Sequence, residues 1–126
     1  MSKLALTIMT DRLEVCRLEP DAPLPNNLTG LPFWSLTRTA EELSIVVPEG
    51  SAPTGCPTES GWRALKVEGP LDFSLTGILA SLSGALANVG IGLFAISTYD
   101  TDYILVKEDK LRASCEALRG AGHHFT

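Results

Sequence analysis

The segment Ile96-Ser97-Thr98-Tyr99-Asp100-Thr101-Asp102 contains the side chains best suited to ligand chemistry, in a polar turn that follows an apolar run. A strand that ends in Ser-Thr exposes hydroxyl groups and unpaired carbonyls, and Tyr99 adds an aromatic surface. The carboxylate of Asp102 can pair with an ammonium or guanidinium group. These residue types favour a site for a small ligand, and the alternative is an ordinary solvated hairpin.

The same turn is a poor metal site. A hard cation requires about six or more oxygen ligands, and the sequence offers no second cluster beside the Asp-Thr-Asp triplet. Cys16, Cys56 and Cys115 are widely spaced and form no CxxC pair, so they fit neither a thiolate site nor a disulfide framework. We predict no metal, no cofactor and three small buried cysteines.

A second candidate is the loop Val67-Glu68-Gly69-Pro70-Leu71-Asp72-Phe73, which leads into an apolar helical pattern. Free backbone N–H groups and the positive end of the dipole at a helix N-terminus can receive a carboxylate. Gly69 and Pro70 shape the turn, and by themselves they are equally typical of a simple connector.

Catalytic signatures are absent from the sequence. It contains no G-x-S-x-G elbow, no P-loop and no dinucleotide-binding glycine pattern. His123 and His124 lie near the end of the sequence, where we expect fraying. We therefore predict that the protein is not an enzyme.

The elements around these candidates alternate between strand and helix. Ile78, Leu79, Leu82, Leu86 and Val89 form one apolar stripe, which predicts a helix over Leu75 to Val89 with a closely packed partner at Gly84. The pattern predicts strands at Trp62 to Val67, on both sides of the polar turn and at His123 to Thr126, and a second helix at Lys110 to Arg119. This βαββαβ order predicts an α+β, ferredoxin-like unit.

The first half reads as mostly strand. Leu4 to Met9 and Leu13 to Leu18 flank Thr10-Asp11-Arg12 and predict a hairpin. Pro-rich Glu19 to Pro32 predicts a loop with at most one short turn. Phe33 to Thr37 and Leu43 to Val47 predict two more strands, with a second connector at Pro48 to Gly61.

An internal similarity links the two halves. Leu36-Thr37-Arg38 aligns with Ile96-Ser97-Thr98, and Ile45 to Glu49 aligns with Ile104 to Glu108 after one gap. Chance likeness of two hairpins is the alternative to a duplication. We interpret residues 1–61 as a degenerate β unit and residues 62–126 as the complete unit.

Composition excludes several classes. The 126 residues carry a net charge of −5 and no basic cluster, which argues against nucleic acid and anionic membrane surfaces. The apolar run Leu4 to Met9 is too short for a signal-peptide core, and no stretch is long enough for a membrane span. We expect a cytoplasmic protein.

The segment ISTYDTDYILVKE resembles the ACT family of small-molecule regulatory domains. It is most similar to the tandem-ACT proteins that include CASTOR-type arginine sensors and the regulatory parts of aspartate kinases. The resemblance is closest over residues 62–120. It implies a sensor that binds an amino acid between two ACT-like units, forms a homodimer and alters its contact with a regulated protein.

The resemblance also implies site residues. The loop around Asp72, Phe73 and Leu75 would close over the main-chain end of the ligand, and Thr98, Tyr99 and Asp102 would contact the effector. If two ACT-like units pair edge to edge, Ser44 and Ile45 would face it as well. Leu75 and Thr76 stand where the arginine sensors would have an acidic residue, so arginine itself is not implied.

Two hypotheses follow from the sequence. In the first, the chain is a ligand sensor of the kind just described. In the second, the same fold is a ligand-free oligomerisation or adaptor module, with sheet edges and Trp34 or Trp62 as interface residues.

Overall fold

A computed structural model describes residues 3–69 and 77–126 of the chain. The described residues form seven strands and two α-helices, with short 3-10 turns at Leu28–Gly30 and Glu108–Lys110. In chain order the elements are β1 (Ala5–Leu18), β2 (Ser35–Arg38), β3 (Leu43–Pro48), β4 (Thr58–Val67), α1 (Ile78–Ala87), β5 (Phe94–Ser97), β6 (Asp102–Lys107), α2 (Leu111–Gly120) and β7 (His124–Phe125).

The chain divides into two compact units. Unit 1 comprises Met1–Thr10 together with Arg63–Thr126, and unit 2 comprises Asp11–Trp62. The long strands β1 and β4 each continue from one unit into the other. The residues up to Thr10 therefore group with the second half of the chain, whereas the sequence-based division groups residues 1–61.

Unit 1 has the predicted ferredoxin-like α+β order. From β4 onward the elements follow as strand, helix, strand, strand, helix, strand. Strand order within the unit is β7-β1-β4-β6-β5, with β7 parallel to β1 and β5 antiparallel to β6. The core contains leucines of both helices packed with aliphatic residues of the strands, including Leu6, Leu65, Val67, Leu82, Leu86, Ile104, Val106 and Leu118.

The first helix is shorter among the described residues than the apolar pattern predicts. It spans Ile78–Ala87 instead of Leu75 to Val89, and residues 70–76 lie outside the described part of the chain. Gly77 precedes it at φ 80°, and Gly90 follows it at φ 74°, a left-handed conformation that glycine adopts most readily. Gly90 therefore has the conformation of a glycine that follows the end of a helix.

The expectation of a closely packed partner at Gly84 is wrong for the described residues. Gly84 is exposed, and a Cβ at this position would have none of their heavy atoms within 4 Å. The buried side of the helix is the opposite one, where Leu82 and Leu86 are completely inaccessible. The lack of a side chain at Gly84 is thus not explained by a close contact with the described residues.

Unit 2 is a sheet with a loop-covered core. Strand order within it is β2-β3-β1-β4, and β3 pairs antiparallel with both β1 and β2. Its core consists of Cys16, Leu28, Leu43, Ile45 and Val47. The segment Glu19 to Pro32 is a loop with one 3-10 turn, as predicted.

The predicted hairpin at Thr10-Asp11-Arg12 is wrong, because Ala5–Leu18 is one continuous strand. The common two-residue and three-residue hairpin turns place at least one residue at positive φ, and no described non-glycine residue has one. The three polar residues are exposed along the middle of the strand. Their polarity therefore reflects solvent exposure and not a reversal of the chain.

The expectation that both histidines fray is wrong for His123. Its side chain is 3% exposed, whereas the adjacent His124 is exposed at the start of β7. The pairing of Ala5 with His124 and of Leu6 with Phe125 holds this end of the chain in the sheet. The predicted last strand is therefore present as a two-residue strand.

Candidate functional site

The polar turn between β5 and β6 is closed by hydrogen bonds between two threonines. The backbone N–H and hydroxyl of Thr98 donate to the carbonyl of Thr101 at 2.8 and 3.0 Å. The backbone N–H of Thr101 donates to the hydroxyl of Thr98 at 3.2 Å. The side chain of Thr98, predicted as a ligand contact, therefore already serves to shape the turn.

Thr101 connects this turn to the end of β4. Its side chain is buried, and its hydroxyl donates to the backbone carbonyl of Val67 at 2.5 Å. The chain enters the second predicted candidate, the loop toward α1, directly after Val67. The turn thus lies beside the residue at which that loop begins.

The sequence analysis assigned no separate role to Thr101 and missed this connection. A pair of threonines at Thr98 and Thr101 on either side of Tyr99-Asp100 is typical of a turn closed by side-chain hydroxyls. That pattern could have indicated the turn. It could not have indicated the long-range bond to β4.

The remaining predicted residues of the turn differ in exposure. Tyr99 is 81% exposed at the tip, and Asp102 is partly buried at the start of β6, opposite Ser97. Asp100 is exposed. The carboxylate of Asp102 is therefore the more sheltered of the two, which favours it for pairing with a ligand cation.

The structure describes the residues on both sides of the candidate loop. At one end, the N–H of Glu68 donates to the carbonyl of Ala5 at 2.8 Å, and its carboxylate accepts a hydrogen bond from the Thr7 hydroxyl at 2.6 Å. At the other end, α1 begins after Gly77 with no acidic residue in its first turn. The predicted contacts Asp72, Phe73 and Leu75 lie outside the described residues.

The two predicted residues in unit 2 have different environments. Ile45 is completely buried in the unit 2 core. Ser44 is partly buried and lines a cavity of about 490 Å³ that also includes Arg17, Glu42 and Thr58. The side chain of Ile45 thus packs in the core, and Ser44 lines an open depression of the same unit.

The described residues hold no group of three or more His, Cys, Asp or Glu side chains arranged for a metal ion. Cys16 and Cys115 are buried, and Cys56 is partly buried. Burial raises the pKa of the Cys16 thiol to about 12, with a hydrogen bond to Cys56 and the charges of Cys56 and Glu14 adding to the rise. Cys16 is therefore a core thiol, as predicted, and not a reactive one.

The helices within residues 3–69 and 77–126 are all too short or too polar to cross a membrane.

Comparison with known families decides the classification. The model of the ACT domain matches residues 58–120, the region that contains the polar turn and both helices. The chain belongs to the ACT domain family. A second model, described as that of an N-terminal domain, matches residues 11–55, which lie within unit 2.

Curated relatives of this ACT protein include the cytosolic arginine sensor for mTORC1 subunit 1 from Rattus norvegicus. The two are 31% identical over 72% of this chain and 30% of the relative. The chain therefore spans about a third of the length of the curated relatives it matches.

Solved structures show the same fold. A crystal structure of a protein from Agrobacterium tumefaciens is 34% identical, with a TM-score of 0.93 over 100% of this chain and 94% of that one. The ligand-free regulatory subunit of aspartate kinase from Thermus thermophilus has a TM-score of 0.65 over 96% of this chain and 99% of that one, at 10% identity. The latter similarity concerns the fold alone.

Proposed function

We propose that this ACT protein is a regulatory sensor that binds an amino acid or a similar small zwitterion in unit 1. The observation that carries the proposal is the bond from the Thr101 hydroxyl to the Val67 carbonyl. It holds the polar turn beside the end of β4, where the loop toward α1 begins.

The two ends of a zwitterion find complementary charges in this arrangement. Its carboxylate meets the N–H groups at the start of α1, where the helix dipole is positive and the first turn carries no acidic residue. Its ammonium group pairs with Asp102, the partly buried carboxylate of the turn. Asp72, Phe73 and Leu75 lie outside the described residues, and their contacts with the ligand stay a prediction.

The relatives support a regulatory role. The curated relative is named as an arginine sensor, and one solved structure of this fold is the regulatory subunit of an enzyme. We accordingly expect a cytosolic protein that catalyses no reaction and signals by changing its contact with a protein partner. Placement of the ligand between two ACT-like units, with contributions from Ser44 and Ile45, stays a prediction.

We also propose a homodimer. Among residues 3–69 and 77–126, strand β5 ends the strand order of unit 1, and an edge strand favours pairing with another chain. A second copy can pair with such an edge around a two-fold axis. Light scattering at tens of micromolar should give twice the mass of the chain, and a monomer mass would contradict the dimer.

A thermal-shift panel of the twenty amino acids tests the sensor. A ligand at about one hundred times its dissociation constant stabilises the protein by about 2.7 kcal/mol, which raises the melting temperature of a domain of this size by several degrees. Stabilisation by one amino acid, or by a few of related chemistry, is the expected result. No shift with any of them would refute the proposal and favour the ligand-free adaptor.

A further inference from the structure

His123 connects three elements of unit 1. Its backbone N–H donates to the carbonyl of Leu118 in α2 at 3.1 Å. Its ring nitrogen Nδ1 accepts a hydrogen bond from the backbone N–H of Leu4 at 3.1 Å, and Nε2 lies 3.1 Å from the Ser81 hydroxyl of α1. With 3% of its surface exposed, the ring makes these contacts away from solvent.

These contacts determine which ring nitrogen of His123 carries the proton. Because the Leu4 N–H can only donate, Nδ1 must carry a lone pair. The proton of the neutral imidazole therefore resides on Nε2 and is donated to the Ser81 hydroxyl. This tautomer cannot take a proton from Ser81, so the pair does not form a nucleophile and its base.

A proton added at Nδ1 would point at the Leu4 N–H, so that two hydrogen-bond donors would face each other. The Leu4 amide would then have lost Nδ1 as its acceptor. The adjoining strand is held by bonds from the His124 N–H to the Leu4 carbonyl at 2.9 Å and from the Thr126 N–H to the Leu6 carbonyl at 2.8 Å, and by the Thr126 hydroxyl, which lies 2.6 Å from the Thr7 hydroxyl and donates to the Leu6 carbonyl at 3.4 Å. The short β7 strand thus depends on the segment that His123 itself positions.

We propose that His123 is a proton-operated latch, which joins β7 to the start of β1 while its ring is neutral and releases β7 when the ring is protonated.

The surrounding charges favour the neutral ring. Burial lowers the pKa of His123 below its ordinary value of 6.5, and the positive charges of Lys3 and His124 lower it further. The Lys3 ammonium lies close by, since a Cβ on the preceding Gly122 would approach its Nζ to 2.7 Å. Helix α1 contains no titratable residue. The Arg119 guanidinium of α2 lies over the Phe125 ring, and the Glu68 carboxylate accepts a hydrogen bond from the Thr7 hydroxyl.

The lowered pKa sets the direction of the pH response. Just below pH 6.5 the unfolded chain binds a proton at this position that the folded protein does not, so stability falls as the pH is lowered. The effect is complete once the pH passes below the pKa of the folded protein. One proton linked in this way raises the unfolding equilibrium constant by up to about tenfold for each pH unit.

The latch can be tested with the variant His123→Asn in the full chain. The Asn Oδ1 occupies the place of Nδ1, accepts the Leu4 N–H and does not titrate near neutral pH. Urea denaturation between pH 7.5 and 5 should show a steeper loss of stability in the natural protein than in His123→Asn. The matched control His124→Asn changes an exposed ring and removes a smaller contribution to the lowered pKa of His123 than burial makes, so its loss of stability should stay steeper than that of His123→Asn. Equal pH dependence of all three proteins would overturn the latch.

Nuclear magnetic resonance of the natural protein gives a second measurement that needs no variant. Nitrogen-15 shifts of the His123 ring should show a proton on Nε2 at pH 7.5 and a midpoint below the ordinary value of 6.5. Hydrogen-exchange protection of the His124 and Thr126 amides should fall at least tenfold in the protonated state, relative to the amides of β6. A proton on Nδ1, or unchanged protection after the ring has titrated, would overturn the proposal.

Discussion

The hydroxyl of Thr101 donates to the carbonyl of Val67 at 2.5 Å, and this bond joins the turn between β5 and β6 to the end of β4. It connects two segments far apart in the sequence that carry the predicted ligand contacts. In the proposed arrangement, the buried Thr101 side chain keeps the turn beside the residue at which the loop toward α1 begins.

Thr101→Val removes this hydroxyl and keeps the shape of the side chain. The buried Val67 carbonyl loses its side-chain donor, and such a loss costs about 1–3 kcal/mol. Urea denaturation should show a decrease of this size in the free energy of unfolding. Thr10→Val, the same change at an exposed position of β1, should stay within about 0.5 kcal/mol. Equal effects of the two changes would show that the Thr101 bond contributes nothing.

The carboxylate of Glu14 also connects distant backbone segments by hydrogen bonds, in unit 2. It is 7% exposed and accepts the N–H groups of Gly50 at 2.9 Å and of Ala52 at 3.0 Å, both through Oε2. Glu14→Leu leaves both donors without an acceptor and should cost about 1.5–3 kcal/mol or more. Glu14→Gln keeps an acceptor oxygen and should cost clearly less in the same denaturation experiment. A greater loss in Glu14→Gln than in Glu14→Leu would contradict this role.

The sequence predicted the elements of unit 1 well because each has its own local signal. Alternating β-branched residues mark β6, and Gly90 marks the end of α1. It predicted β1 wrongly because Thr10-Asp11-Arg12 has the polarity of a turn without the residues that a turn requires. Local composition cannot distinguish an exposed strand centre from a reversal of the chain.

The site was harder to predict than the fold. Thr98, Tyr99 and Asp102 share one turn, which the sequence could indicate because they are neighbours in the chain. The buried roles of Thr101 and His123 depend on Val67 and Leu4, partners that lie far away in the sequence. Ile45 differs from these two residues, because the alternation of apolar residues in its strand is enough to indicate that it lies in the unit 2 core.

Thiol labelling tests the environment of the cysteines. Because the pKa of Cys16 is raised to about 12, roughly one thiol in ten thousand is ionised at pH 8. Iodoacetamide should therefore modify the partly buried Cys56 before Cys16 in the native protein, with the rate at Cys16 rising as the pH increases. Peptide mass spectrometry measures both rates, and labelling in urea should remove the difference. Faster native modification of Cys16 than of Cys56 would contradict its place in the core.

The carboxylate of Asp102 provides the sharpest test of the ligand site. In the proposed arrangement it pairs with the ammonium group of the bound amino acid, and loss of one such charged hydrogen bond costs about 1.5–3 kcal/mol, or roughly tenfold and upward in affinity. Calorimetry with the amino acid that gives the largest thermal shift should show this loss in Asp102→Asn. Asp100→Asn, the same change at the exposed tip of the same turn, should weaken binding much less. Equal effects of the two substitutions, or none from either, would mean that both carboxylates are merely solvated and that the ligand binds elsewhere.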